Sequence, residues 1–389
     1  MNETRKQAEK SEKMRARKRD NKMKLTIVLC FAFAVVVAGT FFAVKSFVNR
    51  QDNNTTVSDK GFPCALEGKE NTTFMRVSSE SVVVLDNSLI EFLSPGNGKT
   101  QKSVPHFFSN PVFDVHGKYV LTFDQGRTKY RIDTAGKVIT ETETQKNIID
   151  GAIAENGTYA LALSQDRAKA QLVVYSKSLK ELFTWNSTQG YIIDIAVSTN
   201  GKYVAAACAN SLNASVMSTV HIFEVKSGKE ISKFDFDDQV VAEMFYSDTN
   251  DLFVITDNSL AYISNNAELK QLLKPSEQVI ESFSYEDGGT LAVQYSKYEN
   301  SANSFVDTFD EKGNVIHSIS SQTLIKGISR SKNYTLVLTD KGISAKDDKG
   351  KDYTAKAGEN ATKIVSMSNN CYIINVDKIE TSRLEAVKN

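Results

Sequence analysis

One turn-and-strand pattern returns about every 40 residues through residues 61–389. Each copy is a tight turn followed at once by an apolar strand. The copies read SSESVVVL from Ser78, HGKYVLTF from His116, NGTYALAL from Asn156, NGKYVAAA from Asn200, TNDLFVIT from Thr249, DGGTLAVQ from Asp287, SKNYTLVL from Ser331 and SNNCYIIN from Ser368. Gly and Asn recur in the turns because they accept the positive φ of tight hairpins. The chain therefore repeats one small β-unit eight times.

Each unit contains further strands on both sides of this hairpin. Short β-type runs such as IIDGAIA and YIIDIAV precede the turn, and a second turn such as KSGKE or DEKGN follows about 15 residues later. Four strands in about 40 residues predict an all-β chain, a β-propeller of eight four-stranded blades, with seven blades as the alternative. A solenoid would repeat in about 20 to 30 residues and an immunoglobulin array in about 100.

The last unit is one strand short. The chain reaches Asn389 after three runs of the final unit, whereas Gly61–Glu67, GFPCALE, precedes the first complete unit. An unpaired edge would leave the ring open. We therefore predict that this N-terminal segment supplies the outer strand of the last blade.

A membrane segment precedes the repeats. The run Leu25 to Val44 has no charge and, as a helix, spans about 30 Å, the thickness of a bilayer core. Ten Lys or Arg precede it, whereas only Lys45, Arg50 and Lys60 follow it before the repeats. This asymmetry predicts a single-pass protein of the cell membrane that contacts the lipid bilayer through Leu25 to Val44.

The predicted organisation is a basic cytoplasmic tail (1–24), a transmembrane helix acting as an uncleaved signal anchor (25–44), a flexible linker (45–60) and an extracytoplasmic propeller (61–389). A cleaved signal peptide ending near Val37-Ala38-Gly39 is the alternative. The whole chain has no net charge, so the exported part is acidic once the basic tail is set aside. That charge argues against nucleic-acid binding.

Residues with reactive or metal-binding side chains do not form a recognisable motif. His106, His116, His221 and His317 lack a second ligand at metal spacing, and the acidic cluster at Asp347-Asp348-Asp352 lacks the order of a calcium loop. Cys64 and Cys371 fall on non-adjacent strands of the last blade, so we expect free, packed thiols there and at Cys208. The sequence predicts no metal, no cofactor and no catalytic constellation.

The pattern over residues 61–389 resembles WD40-like propellers in the broad sense, although the Trp-Asp and Gly-His pairs are absent and Trp185 is the only tryptophan. The layout of basic tail, one helix, polar linker and NGKY-type turns is similar to a family of uncharacterised bacterial membrane-anchored β-propeller proteins, a domain of unknown function. The resemblance implies the fold and the anchor. It implies no substrate.

A rigid propeller without a catalytic motif indicates a binding or scaffolding module with a protein or glycan partner. The alternatives are a propeller hydrolase, lyase or quinone-dependent dehydrogenase, and a sensor of small ligands or glycans. In a four-stranded blade, the first-to-second and third-to-fourth turns share one face, which we call the short-turn face. Second-to-third loops and blade crossovers share the other, the long-loop face. Its aromatic residues and arginines are the predicted contacts: Phe107, Arg127, Arg167, Trp185, Tyr191 and Tyr298.

Overall fold

The computed structural model describes residues 61–66, 74–165, 169–188, 190–212, 215–274, 278–286, 289–299 and 301–387. Every regular element in these ranges is a β-strand. A search of the same ranges for a helix able to span a membrane finds none. The predicted tail, transmembrane helix and linker lie outside the described residues.

The strands form eight antiparallel sheets that follow one another along the chain, which confirms eight blades over the alternative of seven. Strand β1 (Cys64–Ala65) precedes the first complete blade. Blade 1 consists of β2 (Phe74–Val77), β3 (Val82–Leu85), β4 (Leu89–Leu93) and β5 (Thr100–Pro105). Blade 2 consists of β6 (Pro111–His116), β7 (Tyr119–Asp124), β8 (Lys129–Asp133) and β9 (Val138–Glu143). Blade 3 consists of β10 (Ile148–Ile153), β11 (Tyr159–Ser164), β12 (Ala170–Tyr175) and β13 (Glu181–Ser187).

The next four blades repeat this order. Blade 4 consists of β14 (Tyr191–Val197), β15 (Tyr203–Leu212), β16 (Ser215–Glu224) and β17 (Lys229–Asp237). Blade 5 consists of β18 (Val241–Tyr246), β19 (Leu252–Thr256), β20 (Leu260–Ile263) and β21 (Leu269–Leu273). Blade 6 consists of β22 (Val279–Tyr285), β23 (Leu291–Ser296), β24 (Ser304–Phe309) and β25 (Val315–Ser321). Blade 7 contains β26 (Ile325–Ser331), β27 (Tyr334–Thr339), β28 (Gly342–Asp347) and β29 (Asp352–Ala355), and blade 8 contains β30 (Ala361–Met367), β31 (Asn370–Asn375) and β32 (Lys378–Arg383).

Strand β1 completes blade 8, as the sequence predicts. It pairs antiparallel with β32, through Cys64 opposite Ile379 and Ala65 opposite Lys378. Cys371 lies on β31, so β32 separates the two cysteines, and Cys64, Cys208 and Cys371 are all buried free thiols. The prediction of packed, unpaired thiols is confirmed.

The C-terminal residues follow a different course from the predicted one. Instead of continuing the third strand of blade 8, Glu385–Ala386 form β33, which pairs with β29 as a fifth strand on the outside of blade 7. The outer edge of β29 is free to accept it, whereas the edge of β32 is already taken by β1.

The core is a ring of eight hydrophobic clusters, one at each interface between neighbouring blades. The second and third strands are buried on both faces; β3, β7 and β20, for example, have every residue buried. Their near-continuous apolar sequences follow from this position, because each blade is covered by a neighbour on either side. The first strands of neighbouring blades contact one another at most interfaces, for example β14 with β18 and β26 with β30, and residues of these strands line the central channel.

Two parts of the long-loop face differ from the prediction. The sequence predicts a long second-to-third loop from Cys208 to Thr219 in blade 4. The segment is instead a hairpin, because β15 and β16 stay in register from Tyr203 opposite Glu224 to Leu212 opposite Ser215. Trp185 lies inside β13 and not in a crossover. Polar residues such as Asn210 and Ser211 are typical of loops, but backbone pairing extends β15 and β16 through them. Backbone pairing with β12 likewise includes Trp185 in β13.

Candidate functional site

Three of the predicted contact residues project into solvent on the long-loop face. Phe107, in the crossover from blade 1 to blade 2, has 90% of its surface exposed, and Tyr298 and Tyr191 have 67% and 59% exposed. Lysines lie beside both tyrosines: Lys297 Nζ is 5.5 Å from the Tyr298 ring centre and Lys169 Nζ is 5.3 Å from that of Tyr191. Rings flanked by ammonium groups offer both apolar and cation–π contacts.

A fourth predicted residue, Arg127, is also exposed on this face, in the turn between β7 and β8, where its backbone bonds hold the turn. The other two predicted residues are placed differently. Trp185 packs between blades 3 and 4, with its ring centre 5.0 Å from Phe223 and 4.9 Å from His221. Arg167 lies outside the described residues. The exposed residues come from separate blades, so the structure brings them to one face without joining them in one contact cluster.

A second candidate site, which was not predicted, lies in the central channel. Acidic side chains occupy the first strands of four consecutive blades and line one cavity of about 120 Å³. They are Asp114 in blade 2, Asp150 in blade 3, Asp194 in blade 4 and Glu243 in blade 5. In blades 3, 4 and 5 the acidic residue directly follows a register shift of the first strand. Such bulges turn a side chain toward a site.

These carboxylates link each blade to the next. Asp114 Oδ2 accepts a hydrogen bond from the Ile153 N–H at 2.8 Å, and Asp150 Oδ2 accepts one from the Ile195 N–H at 2.9 Å. In the same way, the Met244 N–H donates a hydrogen bond to the Asp194 carboxylate. The first strands are thus tied around the channel by acidic side chains, in addition to the apolar clusters further out.

One basic residue enters this cavity. Arg76, from blade 1, lines the cavity with an exposed side chain, and its charge favours ionisation of Glu243. The Tyr285 hydroxyl donates to Glu243 Oε1 at 3.0 Å. Glu243 therefore has a cation and a donor, whereas Asp114, Asp150 and Asp194 have only backbone donors among the contacts described.

Burial and mutual repulsion raise the pKa values of three of the channel carboxyl groups. Removal from water is the main cause that raises the pKa of Asp150 to about 7, and the negative charges of Glu243 and Asp114 add to it. The pKa of Asp194 is raised well above its usual value by the same causes, and that of Glu243 is raised mainly by burial. Charges crowded in a channel of low polarity favour the neutral acid.

We predict that Asp150→Asn stabilises the fold in a pH-dependent manner. A carboxyl group whose pKa is raised in the folded state contributes no penalty below the unfolded pKa, near 4, and destabilises the fold as pH rises through the folded pKa. With that pKa at about 7, the gain from the amide should be near zero at about pH 4 and reach about 1–3 kcal/mol at about pH 8. Urea unfolding at a series of pH values measures it.

The neighbouring ionisable groups stay in place in this experiment, so the difference between the two proteins measures the charge at position 150 together with its repulsion of Asp194. The groups that line the same cavity are Asp114, His116, Asp194, Glu243, Tyr246, Tyr285, Glu286 and Arg76. Asp237→Asn is the matched control, because Asp237 is exposed on β17. A pH-independent difference at position 150, or one that shrinks as pH rises, would contradict the prediction.

The histidines and the other acidic cluster have structural contacts. Asp347 accepts hydrogen bonds from the N–H groups of Lys349 and Lys351 in the turn after β28, and Asp348 pairs with Arg330 at 2.8 and 2.9 Å. Buried His106 contacts the backbone oxygen of Asp86 at 2.9 Å. Within the described part of the chain, no three His, Cys, Asp or Glu side chains converge as metal ligands.

A spacing in the sequence does mark the channel carboxylates. Asp150, Asp194 and Glu243 each stand seven residues before the positive-φ residue of the following turn, namely Gly157, Gly201 and Asn250. An acidic residue recurring at one position of an apolar inner strand is unusual for a buried strand. Alignment of the repeats on their turns would have located three of the four side chains.

Comparisons with known proteins place the chain in a family. No curated protein matches its sequence. Among solved structures, that of BamB from Moraxella catarrhalis is similar, with 10% sequence identity, a TM-score of 0.49 and coverage of 80% of this chain and 96% of that one. The model of a family of unknown function, DUF5711, matches residues 64–384, from the closing strand of blade 8 to the end of its third strand. The chain therefore belongs to the DUF5711 family.

Proposed function

We propose that this protein is a membrane-anchored, non-enzymatic binding module that engages a protein partner through the long-loop face of an extracytoplasmic propeller. The observation that supports it best is the exposure of Phe107, Tyr298 and Tyr191 on one face. Large aromatic side chains left in water contribute little to the fold of the chain that carries them, and aromatic residues are enriched at protein interfaces.

The remainder of that face suits the same role. Val216 in the β15–β16 hairpin, Val240 in the crossover to blade 5, Leu324 in the crossover to blade 7 and Val376 between β31 and β32 are also exposed apolar residues. The rigid ring of blades holds these loops at fixed positions, which lowers the entropy lost on binding. The topology rests on the charge asymmetry around Leu25 to Val44.

Photo-crosslinking in intact cells tests this proposal. We expect a photoreactive residue at position 107, 191 or 298 to give the same discrete adduct with an exported protein. Leu269 is the matched control position, since it is 46% exposed but lies on outer strand β21 at the short-turn end. A reactive residue there should give no such adduct.

Substitution should separate binding from folding. Phe107→Ala combined with Tyr298→Ala should reduce adduct formation from position 191 by about tenfold or more, as loss of interface anchors does. The free energy of unfolding should change by less than about 0.5 kcal/mol, because both side chains are exposed. Adducts of equal yield from position 269, or no adduct from any of the three positions, would reject the proposal.

A further inference from the structure

The central channel has opposite charges on opposite walls. The acidic side chains Asp114, Asp150, Asp194 and Glu243 come from blades 2 to 5. The cations Arg76 and Lys363 come from blades 1 and 8, whose first strands, β2 and β30, are in contact. Beside the acidic cavity of about 120 Å³ lies a larger one of about 720 Å³, which Lys363 lines.

The two cavities adjoin each other. Both are lined by Arg76, Val112, Phe113, Tyr285 and Glu286. One molecule can therefore extend from the acidic cavity into the larger one. Apolar side chains of the first strands, such as Phe113, Ile364 and Val365, line the larger cavity between its charged ends and can contact an aliphatic segment.

The acidic cavity contains a buried acceptor that the described residues leave unsatisfied. Asp194 is only 9% exposed, and no described group donates a hydrogen bond to its Oδ2. A buried polar atom without a partner costs about 1–3 kcal/mol, and native structures seldom contain one. A donor from a bound molecule would satisfy this oxygen.

The arrangement favours an organic ammonium ion over a metal ion. The carboxylates belong to four different blades, and no three ligand side chains among the described residues converge closely enough to coordinate a metal. An ammonium group instead donates directional N–H bonds to separated oxygens. Arg76 already offsets the charge of Glu243. An ammonium group beside Asp194 would favour ionisation of this carboxyl group, against the burial that raises its pKa.

The larger cavity favours a negative charge, because it is lined by four cations, Arg76, Arg330, Lys332 and Lys363, and by two carboxylates, Glu155 and Glu286. Lys363 is half-buried, and its Nζ lies 4.9 Å from the centre of the Phe74 ring. A second ammonium group would be repelled there, whereas a carboxylate or phosphate would be attracted. The charge pattern thus selects a molecule with opposite charges at its two ends.

The geometry points to a binding site in the channel for a small aliphatic zwitterion, with its ammonium group beside Asp194 and its anionic group toward Lys363. Amino acids with a separated amino and carboxylate group are the chemical class that fits. The site is independent of the partner proposed for the long-loop face, because none of its residues belongs to that face's exposed set.

Calorimetric titration of the full chain with three related probes tests this assignment. We expect ε-aminocaproate to bind and n-hexylamine to bind at least about tenfold more weakly, because the amine lacks the anionic contact. Hexanoate, which lacks the ammonium group, should give no binding heat. Equal affinity for hexanoate and ε-aminocaproate, equal affinity for n-hexylamine, or no binding of any probe would overturn the assignment.

Single substitutions test which residue contacts the ammonium end of the ligand and which contacts its anionic end. Asp194→Asn should weaken ε-aminocaproate and n-hexylamine alike by about tenfold or more. Lys363→Gln should weaken ε-aminocaproate only. Asp237→Asn, on exposed β17, is the control for loss of one negative charge and should leave both affinities unchanged. Thermal unfolding of each variant shows that it is folded. Affinity unaffected by Asp194→Asn would reject the site.

Discussion

Deletion of residues 61–66 should destabilise the entire propeller by about 5 kcal/mol or more, although β1 contains only two residues. Two side chains of the segment lie in the core: Cys64 is completely buried and Leu66 is only 3% exposed. Burial of each large apolar side chain contributes about 1.5–3 kcal/mol, and each hydrogen bond about 0.5–1.5 kcal/mol.

The segment joins the last blade to the first, which is why the effect should be global. Its backbone pairs with β32, and the Leu66 N–H donates to the oxygen of Asp377 at 2.7 Å. On the other side, the Phe62 N–H donates to the oxygen of Asn97 in blade 1 at 3.0 Å. The Phe62 ring packs back on blade 8, 5.6 Å from the ring of Tyr372. Without it, the interface of blades 8 and 1 loses part of its core.

Urea unfolding followed by circular dichroism measures the loss. Truncation after Leu384 is the matched control, since it removes β33, a strand of equal length whose two residues are exposed. That truncation should cost less than about 1 kcal/mol, as expected for exposed residues. Equal losses from the two deletions, or a second transition confined to one blade, would show that the ring does not depend on β1.

The repeat pattern was sufficient to predict the blades because each hairpin is determined locally. Turn residues such as Gly201, with a φ of +69°, and the apolar strands that follow them lie within one unit of sequence. The prediction that Gly61–Glu67 closes the ring follows from the number of strands, because the last unit has only three. These features require no knowledge of which side chains meet across the ring.

The turn spacing marks Asp150, Asp194 and Glu243 one by one, but it does not indicate that they share a cavity with Asp114. Asp114 and Glu243 are far apart in sequence and line one cavity only because the ring brings their blades together. The β15–β16 hairpin was missed for a different reason. Residues such as Asn210 and Ser211 have polar side chains typical of loops, and the hairpin is held there by its own backbone pairing.

Asp133→Ala should cost about 3–5 kcal/mol, because it removes the buried counter-ion of a buried arginine. Arg131 and Asp133 lie two residues apart on β8 and are 1% and 0% exposed. Arg131 Nε donates to Asp133 Oδ2 at 2.6 Å and Nη2 donates to Oδ1 at 3.1 Å. Lys102, from blade 1, also donates to Asp133 Oδ1, so one carboxylate serves two cations at the interface of blades 1 and 2.

The two cations should respond differently to its loss. Lys102 is partly exposed and reaches the backbone oxygen of Thr134 at 3.1 Å, so it keeps a partner and some water. Arg131 retains only Glu141, at 3.1 Å from Nη1, and Glu141 itself is largely exposed. The penalty should therefore come mainly from Arg131.

A double variant distinguishes the buried charge from lost packing. If the cost comes from an uncompensated guanidinium, Arg131→Met combined with Asp133→Ala should be more stable than Asp133→Ala alone, because it removes the charge and keeps an apolar side chain. Asp352→Ala is the surface control: it breaks the exposed pair with Lys346, at 2.6 Å, and should change stability by less than about 1 kcal/mol. Urea unfolding gives these three values and that of Arg131→Met alone, which completes the double-mutant cycle. If the double variant loses as much free energy of unfolding as the two single variants together, an uncompensated charge does not explain the cost of Asp133→Ala. Arg131 then contributes by packing.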